Sequence, residues 1–118
     1  MREIKFRAWS IINKYMSPWN VLLNLNLKNI FTMPIQCGLV LMQYTGLKDK
    51  NGVEIYEGDI VYVLSEDENA FIMWDTESSR FVIQFNDWCS DFDSFYGKDL
   101  EVIGNIYENP ELLEVKDE

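Results

Sequence analysis

From Gly38 to Tyr107 no apolar segment runs far before a turn residue interrupts it. Gly46, the Asn51-Gly52 pair, Glu57-Gly58-Asp59, the charged stretch "SEDEN" at 65–69 and "DTESSR" at 75–80 cut the chain into strand-length pieces. Turn signals at intervals of roughly 8–12 residues imply strand after short strand, hence a small all-β barrel or sandwich and not βαβ units. Aromatics make up 14% of the chain and fit that reading, because large flat side chains pack well on a pleated surface.

The pieces can be placed one by one. "REIKFRAWS" alternates, with Ile4, Phe6 and Ala8 facing one way and Glu3, Lys5 and Arg7 the other, a half-buried strand. Asn13-Lys14 follows as a turn. In "LNLNLK" Leu23, Leu25 and Leu27 alternate with Asn24, Asn26 and Lys28, which predicts another strand, since leucines at period two cannot share a helix face. Residues 30–38, with Met33-Pro34, form an irregular link. "GLVLMQYTG" is a strand ending at Gly46, and Asn51-Gly52 predicts a hairpin turn, because both residues tolerate φ > 0. "VEIY", a central "IVYVL", the hairpin "AFIMW" to "FVIQF", and "LEVIGNIY" complete the set, Gly104 standing where a strand would bend or bulge. Two stretches read as helical. In "NDWCSDFDSFYG", 86–97, Trp88, Phe92, Phe95 and Tyr96 fall at helical spacing, and in "NPELLE" Asn109 is placed as N-cap with Pro110 behind it. Five strands from 38 to 108 would close a compact roll.

Chemistry is narrowed by what is missing. There is no histidine, which removes Ser-His-Asp and Cys-His catalysis and His-ligated zinc. Two cysteines, Cys37 and Cys89, cannot build the usual structural zinc site. With no apolar segment after Arg2, the expectation is a cytosolic protein with two reduced, buried thiols. No apolar run approaches the ~18 residues of a membrane span. Gly46, Gly52 and Gly58 fit no phosphate-loop spacing. Asp91, Asp93 and Asp99 lack the glycine and bidentate glutamate of a calcium loop. Glu54, Glu57 and Asp59 flank a turn and are expected to face water, which gives a carboxylate pair no means of driving its pKa values apart. No enzyme, metal or cofactor is therefore expected.

The net charge of −10 is unevenly spread. Residues 1–50 hold seven Lys/Arg against two acids, +5, and residues 51–118 hold three against eighteen, −15. So acidic a surface opposes nucleic-acid binding by the chain as a whole. Two residue sets remain as candidate contact surfaces. Trp88, Asp91, Phe92, Asp93 and Tyr96 mix aromatic faces with carboxylates, the chemistry that holds a cation or basic peptide. Lys5, Arg7, Trp19, Leu23, Leu25, Leu27 and Lys28 combine apolar strands with positive charge, a surface for self-association.

The blocks "MREIKFRAW", "MQYTGLKDKNGVEIYEGDIVYV" and "LEVIGNIYENPELL", in that order, resemble the YopX family, small proteins encoded by bacteriophages and prophages. Ser10-Ile11-Ile12 departs from the more polar turn usual there. The resemblance implies an SH3-type β-roll over 38–110, a small N-terminal β subdomain over 1–37, and homo-oligomers; the residues add one or two short helices and a C-terminal tail over 111–118. It carries no catalytic residues, since the family has no assigned activity. The expectation is a non-enzymatic protein-interaction or assembly module in the cytoplasm of a bacterial host, a dimer or trimer that meets a host or phage protein. The alternatives are an acidic DNA mimic inhibiting a host DNA-binding protein, and nucleic-acid binding through the basic N-terminal half, where Lys5, Arg7 and Lys14 lie beside Trp9 and Tyr15.

Overall fold

The computed structural model describes residues 3–32, 34, 36–92 and 97–114. It is mainly β, two antiparallel sheets with two short helices. The chain divides into two compact units, Met1–Tyr44 and Thr45–Glu118. The sequence reading sets that change at residue 38, just before the strand that runs across the division.

In the first unit β1 (Phe6–Ser10) lies between β2 (Met16–Ser17) and the first half of β3 (Leu39–Lys48), with Ala8 opposite both Ser17 and Leu41. Alternation puts Ala8 inside, fully buried, and lays Phe6 against the same core. The β1–β2 tip is tied by buried Ser10: its carbonyl accepts from Lys14 N at 2.8 Å, its Oγ from Asn13 N at 3.1 Å, and its own N–H donates to Tyr15 O at 2.9 Å. Lys14 takes φ +55. Ile11, Ile12 and Lys14 are left exposed.

The leucine–asparagine alternation does not make a strand. The segment folds as α1 (Trp19–Leu22), a turn, and α2 (Leu27–Thr32). Capping decides it. Pro18 opens α1, its carbonyl accepting from Leu22 N at 3.2 Å. Asn26 caps α2: its Oδ1 accepts from Asn29 N at 3.3 Å and its carbonyl from Ile30 N at 3.1 Å. A short amide side chain that satisfies a helix's first donors outweighs a period-two pattern three leucines long. The buried pair becomes Leu22 and Ile30, with Trp19 and Leu27 packed on them, while Leu23 and Leu25 face out.

In the second unit the far half of β3 turns through Asn51-Gly52 into β4 (Glu54–Tyr56), Gly52 at φ +81. β5 (Asp59–Val63), β6 (Glu68–Asp75), β7 (Arg80–Gln84) and β8 (Cys89–Asp91) form a meander. β9 (Leu100–Asn105) returns beside β5 after a 3-10 turn at Gly97–Asp99, giving the order β8-β7-β6-β5-β9. This sheet curls into a half-barrel over a core of Ile55, Val61, Val63, Ala70, Ile72, Ile83, Phe85, Phe92 and Leu100. Part of the bend is a bulge: Ile60 pairs Gly104 and Val61 pairs Val102, which leaves Ile103 extra. The glycine predicted to bend a strand sits there.

Of the stretch 86–97, the described residues 86–91 form a bend and a short strand, not a helix. Asn86-Asp87 turn the chain, Phe85 N donates to Trp88 O at 2.8 Å, and Cys89–Asp91 pair with β7. "NPELLE" keeps only a 3-10 turn, Pro110–Leu113, without a side-chain cap, because Asn109 Oδ1 accepts from Asn105 N at 3.2 Å instead. Both cysteines are exposed, Cys37 in the turn before β3 and Cys89 opening a short outer strand.

Candidate functional site

The residues proposed for self-association separate into two groups. Trp19 and Leu27 are half-buried parts of the first unit's own core, and Trp19 joins Phe6 and Phe31 in an aromatic cluster with ring centroids 4.9–6.5 Å apart. Lys5 is also engaged, its ammonium 3.2 Å from the Glu3 carboxylate and 5.0 Å from the centre of the Tyr44 ring. Arg7 is half-buried on β1. Leu23, Leu25 and Lys28 remain on the surface. Beside them the structure exposes side chains that the sequence reading left out, Ile11, Ile12, Tyr15, Val21 and Phe31. Period-two counting cannot find turn-tip residues, since they belong to no face.

Of the aromatic–acidic set, Trp88, Asp91 and Phe92 are described, and each is engaged within the fold. Trp88 stacks on Phe85, 4.1 Å between centroids and 4° from parallel, and Phe92 is buried in the core. Asp91 pairs with Arg80 at 2.9 Å. Asp93, Phe95 and Tyr96 lie outside the described residues. Asp99, a member of the rejected calcium pattern, accepts hydrogen bonds from the backbone N–H and hydroxyl of Ser65. Among the described residues no group of three or more His, Cys, Asp or Glu side chains is placed to hold a metal ion.

The acids of the β3–β5 region do structural work. Asp59, expected to face water, is buried, and its Oδ2 accepts from Tyr56 N at 2.7 Å. Glu54 and Glu57 are half-buried. Asp49, which the sequence reading did not single out, is buried with both oxygens engaged. Oδ1 accepts from Asn51 N at 2.8 Å and Val53 N at 2.9 Å, and Oδ2 from Val102 N at 2.8 Å on the outer side of β9. Next to it Lys50 N donates to Leu100 O at 3.0 Å. Burial by itself raises the Asp49 pKa, but the amides of Val102, Val53 and Asn51 and the Lys50 charge outweigh it and hold the carboxyl below its ordinary 3.8. An aspartate two positions before Asn-Gly is the available signal, an Asx turn.

An open groove of about 400 Å³ lies in the second unit between the start of β6 and the Pro110–Leu113 turn. Tyr62, Leu112 and Leu113 give it apolar walls, and Asp67, Glu68 and Glu114 give it charge. Asn69 Nδ2 donates to Leu112 O at 2.9 Å and fixes one wall. The Tyr62 hydroxyl donates to Asp67, and this bond, with some burial and the nearby carboxylates, pushes the phenol pKa up. Such a groove can take a side chain that is apolar along its length and positive nearby.

A family model described as "YopX protein" matches residues 5–114. Protein EF1440 of Enterococcus faecalis, a solved structure, is 31% identical over 97% of this chain and all of its own, with a TM-score of 0.65. Protein yopX of Bacillus subtilis, also solved, shares the fold with a TM-score of 0.59 at 19% identity, over 99% of this chain and all of its own. A comparison with curated proteins finds no match.

Proposed function

The chain belongs to the YopX family, and from that premise we propose that it is a phage- or prophage-encoded module working in the bacterial cytoplasm through protein contacts, not catalysis, with a second copy of itself as first partner. One observation carries this reading. Of thirteen large apolar side chains exposed among the described residues, eight lie in the first unit: Ile4, Ile11, Ile12, Tyr15, Val21, Leu23, Leu25 and Phe31. That unit is 44 of 118 residues, so apolar surface is concentrated there, the usual mark of a contact face. Charge supports it. Met1–Tyr44 carries five Lys/Arg and one acid, +4, which leaves −14 on Thr45–Glu118. Opposite charge on two parts of one chain favours contact between copies and opposes contact through the acidic part alone.

The same reading takes the second unit as an SH3-type roll. Its support is a four-strand meander, β5 to β8, followed by β9, which returns beside β5 after the 3-10 turn at Gly97–Asp99. Light scattering after size exclusion tests self-association. The expected mass is a multiple of 14.0 kDa. A 14.0 kDa particle at every micromolar loading would sink the proposal.

A further inference from the structure

Building on self-association, we infer that the contact is head to tail: the β1–β2 tip of one copy seats in the acidic groove of another copy's second unit. Ile12 is 78% exposed, more than any other large apolar side chain described, with Ile11 at 49% beside it. Exposed Lys14 closes the same tip. The three Ser10 bonds hold the tip in one conformation, so seating it costs little ordering entropy. The groove offers the counterpart: Tyr62, Leu112 and Leu113 for the isoleucine, and the carboxylates of Asp67, Glu68 and Glu114 for the lysine. Its volume of about 400 Å³ lies within the range of functional pockets. A two-fold contact of tip on tip would set Lys14 against Lys14, and groove on groove would set carboxylate against carboxylate. Only a tip-to-groove pairing joins opposite charges. Repeated in one sense it closes into a ring or runs on as a filament, and made reciprocally about a two-fold axis it gives a dimer.

Two variants test the inference by complementation. Ile12→Asp/Lys14→Glu spoils the tip and keeps the groove; Glu68→Lys/Glu114→Lys does the reverse. Each alone is expected to scatter light as a 14.0 kDa monomer. Their equimolar mixture retains one sound tip and one sound groove, and is expected to form a particle of twice that mass. A mixture that stays monomeric, or a single variant that assembles like the parent chain, overturns the head-to-tail contact and leaves self-association standing. A monomeric parent chain overturns both. Circular dichroism checks each fold. If a double variant folds poorly, Ile12→Ser and Glu114→Gln replace it, with an expected loss of about tenfold or more in association constant. An unchanged constant for either defeats the inference.

Discussion

At Asp49 three backbone amides and a neighbouring ammonium keep a buried carboxylate charged. Asp49→Ala leaves those amides without their acceptor and should cost about 3 kcal/mol in urea unfolding. The acid dependence has a definite sign. The folded pKa lies below the unfolded value near 3.8, so the stabilisation is complete above that value and is lost as pH falls through the folded pKa. Asp49→Asn should therefore flatten the acid limb of the stability curve, and a parallel limb in parent and variant would count against the assignment. The cysteines give a second check. Both should react with a water-soluble thiol reagent in the folded state at rates near those of the unfolded chain; strong protection of either would contradict the exposed placement. Asn51-Gly52 was legible in sequence because φ > 0 is a local demand, met here at +81. Asp49 was not, because the donor on Val102 lies 53 residues away.

Elements followed the sequence where turn residues bounded an apolar piece of strand length, as in β5 and the β6–β7 hairpin. They departed where two local signals competed. The leucines at 23, 25 and 27 favoured a strand, but Pro18 and Asn26 start helices, and helices formed. At 86–97 the aromatic spacing suggested a helix, whereas residues 89–91 pair with Val82–Gln84 just upstream, a hairpin that a count of helical spacing over 86–97 does not include. The end of β9 is the sharpest case of residues acting as a unit. Asn105 Oδ1 accepts from the N–H groups of Tyr107 and Glu108 at 3.0 and 2.9 Å, and Asn109 folds back over Gly104. A Cβ at position 104 would lie 2.6 Å from Asn109 Oδ1 and 2.9 Å from its Cβ, so the backbone must move. Gly104→Ala should cost about 1–3 kcal/mol in thermal or urea unfolding, as overpacking does. A melting temperature within error of the parent would refute the close approach.

The molecule as a whole is two cores of unequal size. The first unit rests on Ala8, Leu22 and Ile30 with partly buried neighbours, the second on nine buried side chains. So small a core gives little margin over chain entropy, and the first unit should open at lower denaturant. Its tryptophans, Trp9 and Trp19, can be followed alone in Trp74→Phe/Trp88→Phe, and the second unit's in Trp9→Phe/Trp19→Phe. Coincident midpoints would mean one cooperative fold. The uneven charge was readable in the sequence. The proposed contact surface was readable only as a region, because the tip and the groove take shape when distant segments meet. The half-barrel sheet has a further consequence at its two borders. β8 offers three residues, crossed by the Arg80–Asp91 pair, and β9 already has its Val102 amide held by Asp49 and its Leu100 carbonyl by Lys50. Neither border is a template onto which a stray strand can add. Concentrated stocks at neutral pH should thus resist cross-β fibrils, and that protection weakens in acid, once Asp49 takes up a proton and loosens its hold on β9.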